Sequence, residues 1–166
     1  MKCLVLLSLL APALAGCQNE QRPSATGQTP SFYASMARPD ATVDGAMARD
    51  MIGAYRRNNG LGPLALDPDL QAAAQKEADA MASADRPSSA DAFKNRLAAS
   101  GFTAPAANLS AGYHTLAEAF SGWRESAQHN RVMLDARAKR IGIATAYTPK
   151  SKYKVYWALV VAADRR

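Results

Sequence analysis

A chain of 166 residues with 48% apolar side chains has the length and composition of one globular domain and is short for two. Its only cysteines are Cys3 and Cys17, so no disulfide can form once a leader carrying Cys3 is removed. The formal charge of +6 is uneven: residues 43–119 sum to −2, whereas 120–166 hold ten Lys or Arg against three Asp or Glu.

The first segment reads as a leader. Met1-Lys2 is a minimal basic start, and Cys3 to Ala15 is an apolar run too short for a permanent membrane span. It ends Leu14-Ala15-Gly16-Cys17, which resembles a lipobox, where cleavage before a lipidated cysteine leaves an acylated N-terminus. The competing reading is ordinary cleavage after Ala13-Leu14-Ala15, with Cys17 incidental. The lipobox reading gives a leader over 1–16, and a lipidated Cys17 with a Gln-, Pro-, Ser- and Thr-rich flexible tether over 17–41. The folded domain then spans 42–166. Gln18, which is not Asp, resembles the pattern for lipoproteins sent to the outer membrane, facing the periplasm. The acyl chains of a mature lipoprotein would hold such a chain to a membrane firmly. Export makes nucleic acid an improbable partner. The basic C-terminal part is either a face for anionic headgroups or cell-wall polymers, or a solvated guard in which Lys150, Lys152 and Lys154 protect a β edge.

Within the domain, Met47, Met51, Ile52 and Tyr55 recur at helical spacing, and Asn58-Asn59-Gly60 supplies a stop. Asp67-Pro68 starts a second helix with a cap and a first-turn proline, its inner face Leu70, Ala73, Ala74, Ala78 and Met81. A third helix is predicted over Ser89 to Ser100, with Phe93 and Leu97 inward. Residues 105–113 are extended or loop-like. Thr115-Leu116-Ala117-Glu118 is a capping box, opening a helix that buries Leu116, Phe120, Trp123 and Ala127 and leaves His129 at or past its end. Ile141, Ile143, Thr145 and Tyr147 alternate, as do Tyr153, Val155, Trp157, Leu159 and Val161, with a turn at Thr148–Ser151. Helices precede strands, so the fold class is α+β.

Two stretches carry a family resemblance. One is Trp123, Ser126, His129, Met133 and Leu134, in the pattern W-x-x-S-x-x-H-x-x-x-[IVML]-L. The other is Ala54-Tyr55-Arg56, Gly60-Leu61-Gly62-Pro63-Leu64 and the Leu70, Ala74, Ala78, Met81 series. Together, over about 43–163, they resemble bacterial members of the CAP superfamily of cysteine-rich secretory, antigen 5 and pathogenesis-related proteins. The resemblance implies a three-layer α-β-α sandwich. It also implies a cavity with two histidines and two acidic residues, which in many members holds a divalent cation. Carried over, one histidine is His129. One acid falls at Ala107, next to Asn108, and the other at Ser126. No histidine lies between Met81 and Asn108. The remaining histidine, His114, stands fifteen residues from His129 across a helix. No metal site and no cofactor are therefore expected.

A hydrolase can be assembled on paper from Ser126, His129 and Glu125, since serine and histidine three apart at a helix end can touch. Glu125 lies on another face, and no G-x-S-x-G elbow is present. The bland alternative makes Ser126 a local cap, His129 a pin at the helix–strand junction, Asn108 a satisfier of backbone groups, and Trp123 and Trp157 core aromatics. The expectation is a membrane-tethered, non-enzymatic module for a lipid, cell-envelope or protein ligand, with His129, Asn108 and Ser126 as pocket candidates. The alternative is a divergent hydrolase using His129 with Ser126.

Overall fold

The computed structural model describes residues 29–165; the leader, Cys17 and the first part of the tether lie outside the described residues. Helix α1 spans Gly45–Asn58, α2 Pro68–Ala84, α3 Ala90–Ala99, α4 Leu116–Glu125 and α5 Ala127–Met133. Strands are β1 Ala65–Leu66, β2 Ala106–Ala111, β3 Arg140–Tyr147 and β4 Val155–Ala162. The sheet order is β1-β3-β4-β2, parallel only between β1 and β3.

The helix starts follow local chemistry. The Asp44 carboxylate accepts from the Met47 amide at 3.0 Å. The Asp67 carboxylate accepts from the amides of Asp69 and Leu70, both at 3.0 Å, ahead of Pro68 in the first turn of α2. Ser89 accepts from Ala92, and Thr115 from Glu118. The Glu118 carboxylate reaches back to the His114 amide (2.6 Å), one residue before the cap, where a standard capping box would place it on the Thr115 amide.

The sheet separates two helical layers because β4 alternates inside a wholly buried strand. Val155, Trp157, Leu159 and Val161 face α1, α4 and α5, while Tyr156, Ala158, Val160 and Ala162 face α2 and α3. The result is the α-β-α sandwich. Leu70, Ala74, Ala78 and Met81 are fully buried in the second layer, and Ala73 is half-buried at its margin. The packing extends N-terminal to Thr42. A 3₁₀ turn at Ser31–Tyr33 rests on α1 and α4, and Met36 is buried, its amide donating to the His114 carbonyl at 2.7 Å.

Strand β3 lies beside β1 for two residues only, and α2 protects the edge beyond it. The Gln71 side chain acts as a strand fragment, its amide nitrogen donating to the Ile143 carbonyl (2.5 Å) and its oxygen accepting from the Ile143 amide (3.1 Å). One turn on, Gln75 donates to the Thr145 carbonyl at 3.1 Å.

One glycine is placed against its helix's interest. Gly53 sits inside α1, and a Cβ there would meet only the Arg57 guanidinium, at 3.7 Å. Gly53→Ala is expected to stabilise the domain by about 0.5–1 kcal/mol, read as a higher midpoint in urea with unchanged slope.

Candidate functional site around His129

The segment after Trp123 departs from the expected single helix. Ser126 takes an extended backbone conformation (φ −84°, ψ 115°), ends α4 and starts α5. Its amide donates to the Gly122 carbonyl, its hydroxyl oxygen accepts from the His129 amide at 3.5 Å, and its carbonyl accepts from the Asn130 amide. The two backbone bonds are the ordinary end of α4 and start of α5; only the hydroxyl bond needs a serine, and it is this cap that favours a new helix start here. The break refines one expectation and corrects another. His129 does lie past the end of the helix that Thr115 caps, but in the first turn of a second helix, α5. Ala127 is exposed rather than buried, because α5 starts in a new direction.

Helix α5 is held by three connections. From β2, the fully buried Asn108 donates through Nδ2 to the His129 carbonyl at 3.0 Å. From α1, the Tyr55 hydroxyl donates to Asn130 Oδ1 at 3.0 Å. Also from α1, Arg56 reaches the C-terminal end, donating to the carbonyls of Met133 (2.8 Å) and Asp135 (2.9 Å). Behind the site, Trp123 and Trp157 meet edge to face, with ring centroids 6.0 Å apart. Both indole N–H groups are satisfied, by Ser110 Oγ at 3.1 Å and by the Tyr113 carbonyl at 2.8 Å. Both tryptophans are core residues.

The His129 imidazole is half-buried; Nδ1 is enclosed and has no hydrogen-bond partner. Burial lowers its pKa from the ordinary histidine value, so the ring is neutral at neutral pH. Asn108 Oδ1 is likewise enclosed and unpartnered. Glu125, the proposed orienting acid, is exposed and makes no hydrogen bond or ion pair with His129; the Ser126 oxygen accepts from the His129 amide at the helix start. The structure brings together His129, Ser126 and Asn108 and leaves Glu125 apart. It does not arrange them for acyl transfer, which needs an imidazole held by a third group and aimed at the hydroxyl.

His114 is exposed at the opposite end of α4, whose ten residues alone span about 15 Å. Ala107 packs into the layer of α2 and α3, whereas Asn108 faces α5. Among the described residues, no group of three or more His, Cys, Asp or Glu is placed to hold a metal ion. The divalent cation implied by the resemblance does not fit these donors: one imidazole nitrogen and one amide oxygen fall short of the three or four ligands a zinc site requires. Zinc titrated into the protein is expected to give no tight stoichiometric site by calorimetry. One equivalent bound, and lost in His129→Ala, overturns this.

The lowered pKa of His129 gives a pH dependence with a definite sign. Below the unfolded value of about 6.5, the unfolded chain takes up a proton before the folded one does. The contribution is fully present above that pH and is lost as pH falls through the depressed folded value. The lowered carboxylates of Asp67 and Asp135 lose theirs only at more acidic pH. The fall in melting temperature between about pH 7.5 and about pH 5.5 should therefore shrink in His129→Gln.

Sequence reasoning passed over Arg56 and Tyr55 as site-forming residues, although both stand in the quoted Ala54-Tyr55-Arg56 motif. Helical spacing marked Tyr55 as core, and nothing local shows that Arg56 turns inward.

Comparison with known proteins gives a consistent answer. Residues 49–161 match the family model CAP, the cysteine-rich secretory protein family. Among solved structures, the chain is similar to an extracellular protein containing a SCP domain from Bacillus anthracis str. Ames, at 19% identity and TM-score 0.60, over 72% of this chain and 40% of that one. It is similar to an outer surface protein from Borrelia burgdorferi, at 15% identity and TM-score 0.62, over 73% of this chain and 92% of that one. It is also similar to a cysteine-rich secretory protein from Staphylococcus aureus subsp. aureus Mu50, at 17% identity and TM-score 0.58, over 72% of this chain and 38% of that one. Two of the three are thus more than twice the length of the shared region. A search of curated proteins finds no match.

Proposed function

The chain belongs to the CAP family of cysteine-rich secretory proteins, and from that membership we propose that it is an exported lipoprotein whose domain is a non-enzymatic binding module for a lipid or other cell-envelope ligand. The observation that carries the non-enzymatic reading is the state of His129. Its Nδ1 is enclosed without a partner, no carboxylate orients it, and the neighbouring Ser126 oxygen is used as a cap, accepting from the His129 amide. A general base without an orienting group lacks the arrangement that makes a serine nucleophilic. The scaffold is otherwise complete, with both layers packed and both tryptophans satisfied.

Attachment is proposed at Cys17, on the strength of Leu14-Ala15-Gly16-Cys17 after the apolar leader. The destination proposed is the outer membrane, facing the periplasm. Export is in keeping with the descriptions of the similar structures as extracellular, outer surface or secretory proteins.

Two measurements test the reading. Wild type and His129→Ala are assayed side by side on generic ester, peptide and peptidoglycan substrates, with melting temperatures recorded for both. No activity distinguishing them is expected. An activity lost in His129→Ala at unchanged melting temperature establishes the hydrolase instead, with Ser126→Ala as the next variant. For attachment, wild type should incorporate labelled palmitate and stay in the membrane fraction, and Cys17→Ser should not be labelled. An unlabelled wild type refutes lipidation.

A further inference from the structure

We propose that the tip of the β3–β4 hairpin docks on the anionic surface of the membrane that holds Cys17, fixing which side of the domain faces the bilayer. This rests on the lipid-anchor reading and extends it from attachment to orientation.

Among the described cations of the C-terminal part, Arg124 lies over the Phe120 ring on α4 and Arg131 donates to the Ala127 carbonyl on α5. The other seven fall into two groups, one at each end of the sheet. At the end of the sheet where β3 begins and β4 finishes, they are neutralised. Arg137 pairs with Asp135 at 2.7 Å, Lys139 with Asp164 at 2.6 Å, Arg140 with Asp67 at 3.0 Å, and Arg165 with Asp69. At the opposite end, the turn between the strands carries Lys150, Lys152 and Lys154, and among the described residues none is in an ion pair. Lys154 donates to the Pro149 carbonyl at 2.6 Å, which fixes its ammonium without neutralising it. Asp85, which accepts from the buried Tyr156 hydroxyl at 2.5 Å, remains a carboxylate and offsets part of the charge of Lys152 without forming an ion pair with it. Guarding a β edge does not account for these lysines. The open edge of β3 is covered by Gln71 and Gln75, and the lysines stand in the turn beyond it.

The chain also enters the domain at this end. Met36 is bonded to His114 just beyond β2, and Gly112 in the same connection is bonded to Val155 at the foot of the hairpin. Residues 38–41 share a cleft of about 420 Å³ with residues 145–148, which lead into the turn. Arg38 adds a further cation there, set against the carboxylates of Asp40 and Asp79 in the same cleft. Tyr33, 58% exposed, lies in the same entering segment and offers the amphipathic ring that suits a headgroup region.

Residues 18–28 separate Cys17 from the described structure and reach at most about 40 Å. That is comparable to the diameter of the domain, so the tether alone leaves the domain free to present any side. Local charge decides. Each cation near an anionic leaflet adds its own attraction, effective within a Debye length of about 8 Å. The unpaired end is favoured over the neutralised one.

Lysine footprinting tests this on the full lipidated chain. The protein is reconstituted on vesicles of phosphatidylcholine alone, or of phosphatidylcholine with phosphatidylglycerol, treated with an acetylating reagent and read by mass spectrometry. On the anionic vesicles, Lys150 and Lys152 should react at least about threefold more slowly than on the neutral ones, with Lys76 and Lys94 unchanged. Salt at about 1 M should abolish the difference. Equal rates on both vesicles, or equal slowing of all four lysines, overturns the proposal. Slowing by soluble polyphosphate but not by anionic vesicles also overturns it, in favour of an anionic polymer. Failure of the anchor reading is seen separately, as protein that does not sediment with the neutral vesicles.

Discussion

Gly142→Ala is expected to be the most damaging single methyl group that can be added to this domain. Gly142 is buried in β3 directly beneath the first turn of α2. A Cβ there would lie 2.6 Å from the Gln71 amide nitrogen, and nearer still to the carbonyl carbon and oxygen of Leu70. All three atoms are backbone, so no rotamer change relieves the clash and either the helix or the strand must move. Moving α2 is costly because it carries Leu70, Ala74, Ala78 and Met81 into the second core and the Gln71 bonds onto the β3 edge. Overpacking of this kind costs about 3 kcal/mol or more, a large part of a normal domain's stability. For a chain of this size, that lowers the melting temperature by roughly 6–12 °C. Gly62→Ala is the control, since a Cβ at Gly62 meets nothing within 4 Å. A Gly142→Ala protein that melts with wild type would show that α2 does not sit on β3 as described.

That contact also shows what the sequence could and could not reveal. The small residues of α2 signalled close packing, and they are buried against the sheet. Two caps were legible because their chemistry spans three residues: Asp67 before Pro68, and Thr115 with the Glu118 amide. The β3–β4 hairpin was legible from its alternation. The α4–α5 break was legible only in part: Ser126 could be read as a local cap, and it is one, but it stands in an otherwise continuous helical pattern, so the start of a second helix there was not legible. Strand β1 was not legible either, since two residues paired to a distant strand carry no periodic signal. At the site, His129 and Asn108 were singled out from a motif. That the Asn108 amide holds the His129 carbonyl is a bond across 21 positions, which no local pattern encodes.

The second large effect is expected at Arg56, and here too the cause is long-range. Arg56 is 0% exposed, yet its charge is stabilised mainly by carbonyl dipoles. Its guanidinium donates to the carbonyls of Gly62 (3.0 Å), Met133 (2.8 Å), Asp135 (2.9 Å) and Ala138 (3.2 Å). Burial pulls its pKa down and the nearby Asp135 pushes it up, but the group remains a cation at physiological pH. Two of its acceptors lie at the C-terminal end of α5, where a positive charge also meets the negative pole of the helix. Arg56 thereby ties α1 to the end of α5 and to the connection that leads into β3. Arg56→Met keeps the apolar stem and strands four acceptors, for an expected loss of about 3–5 kcal/mol in urea denaturation. Arg56→Lys should recover only part of this, because one ammonium cannot spread its donors over the span that the planar fork covers. In hydrogen exchange on the lysine variant, amides of α5 should lose protection ahead of those of α2, because α5 depends on Arg56 while α2 is held by the second core. Equal stability of Arg56→Met and wild type would contradict the assignment of Arg56 as the pin of α5, and with it the account of how His129 is held in place.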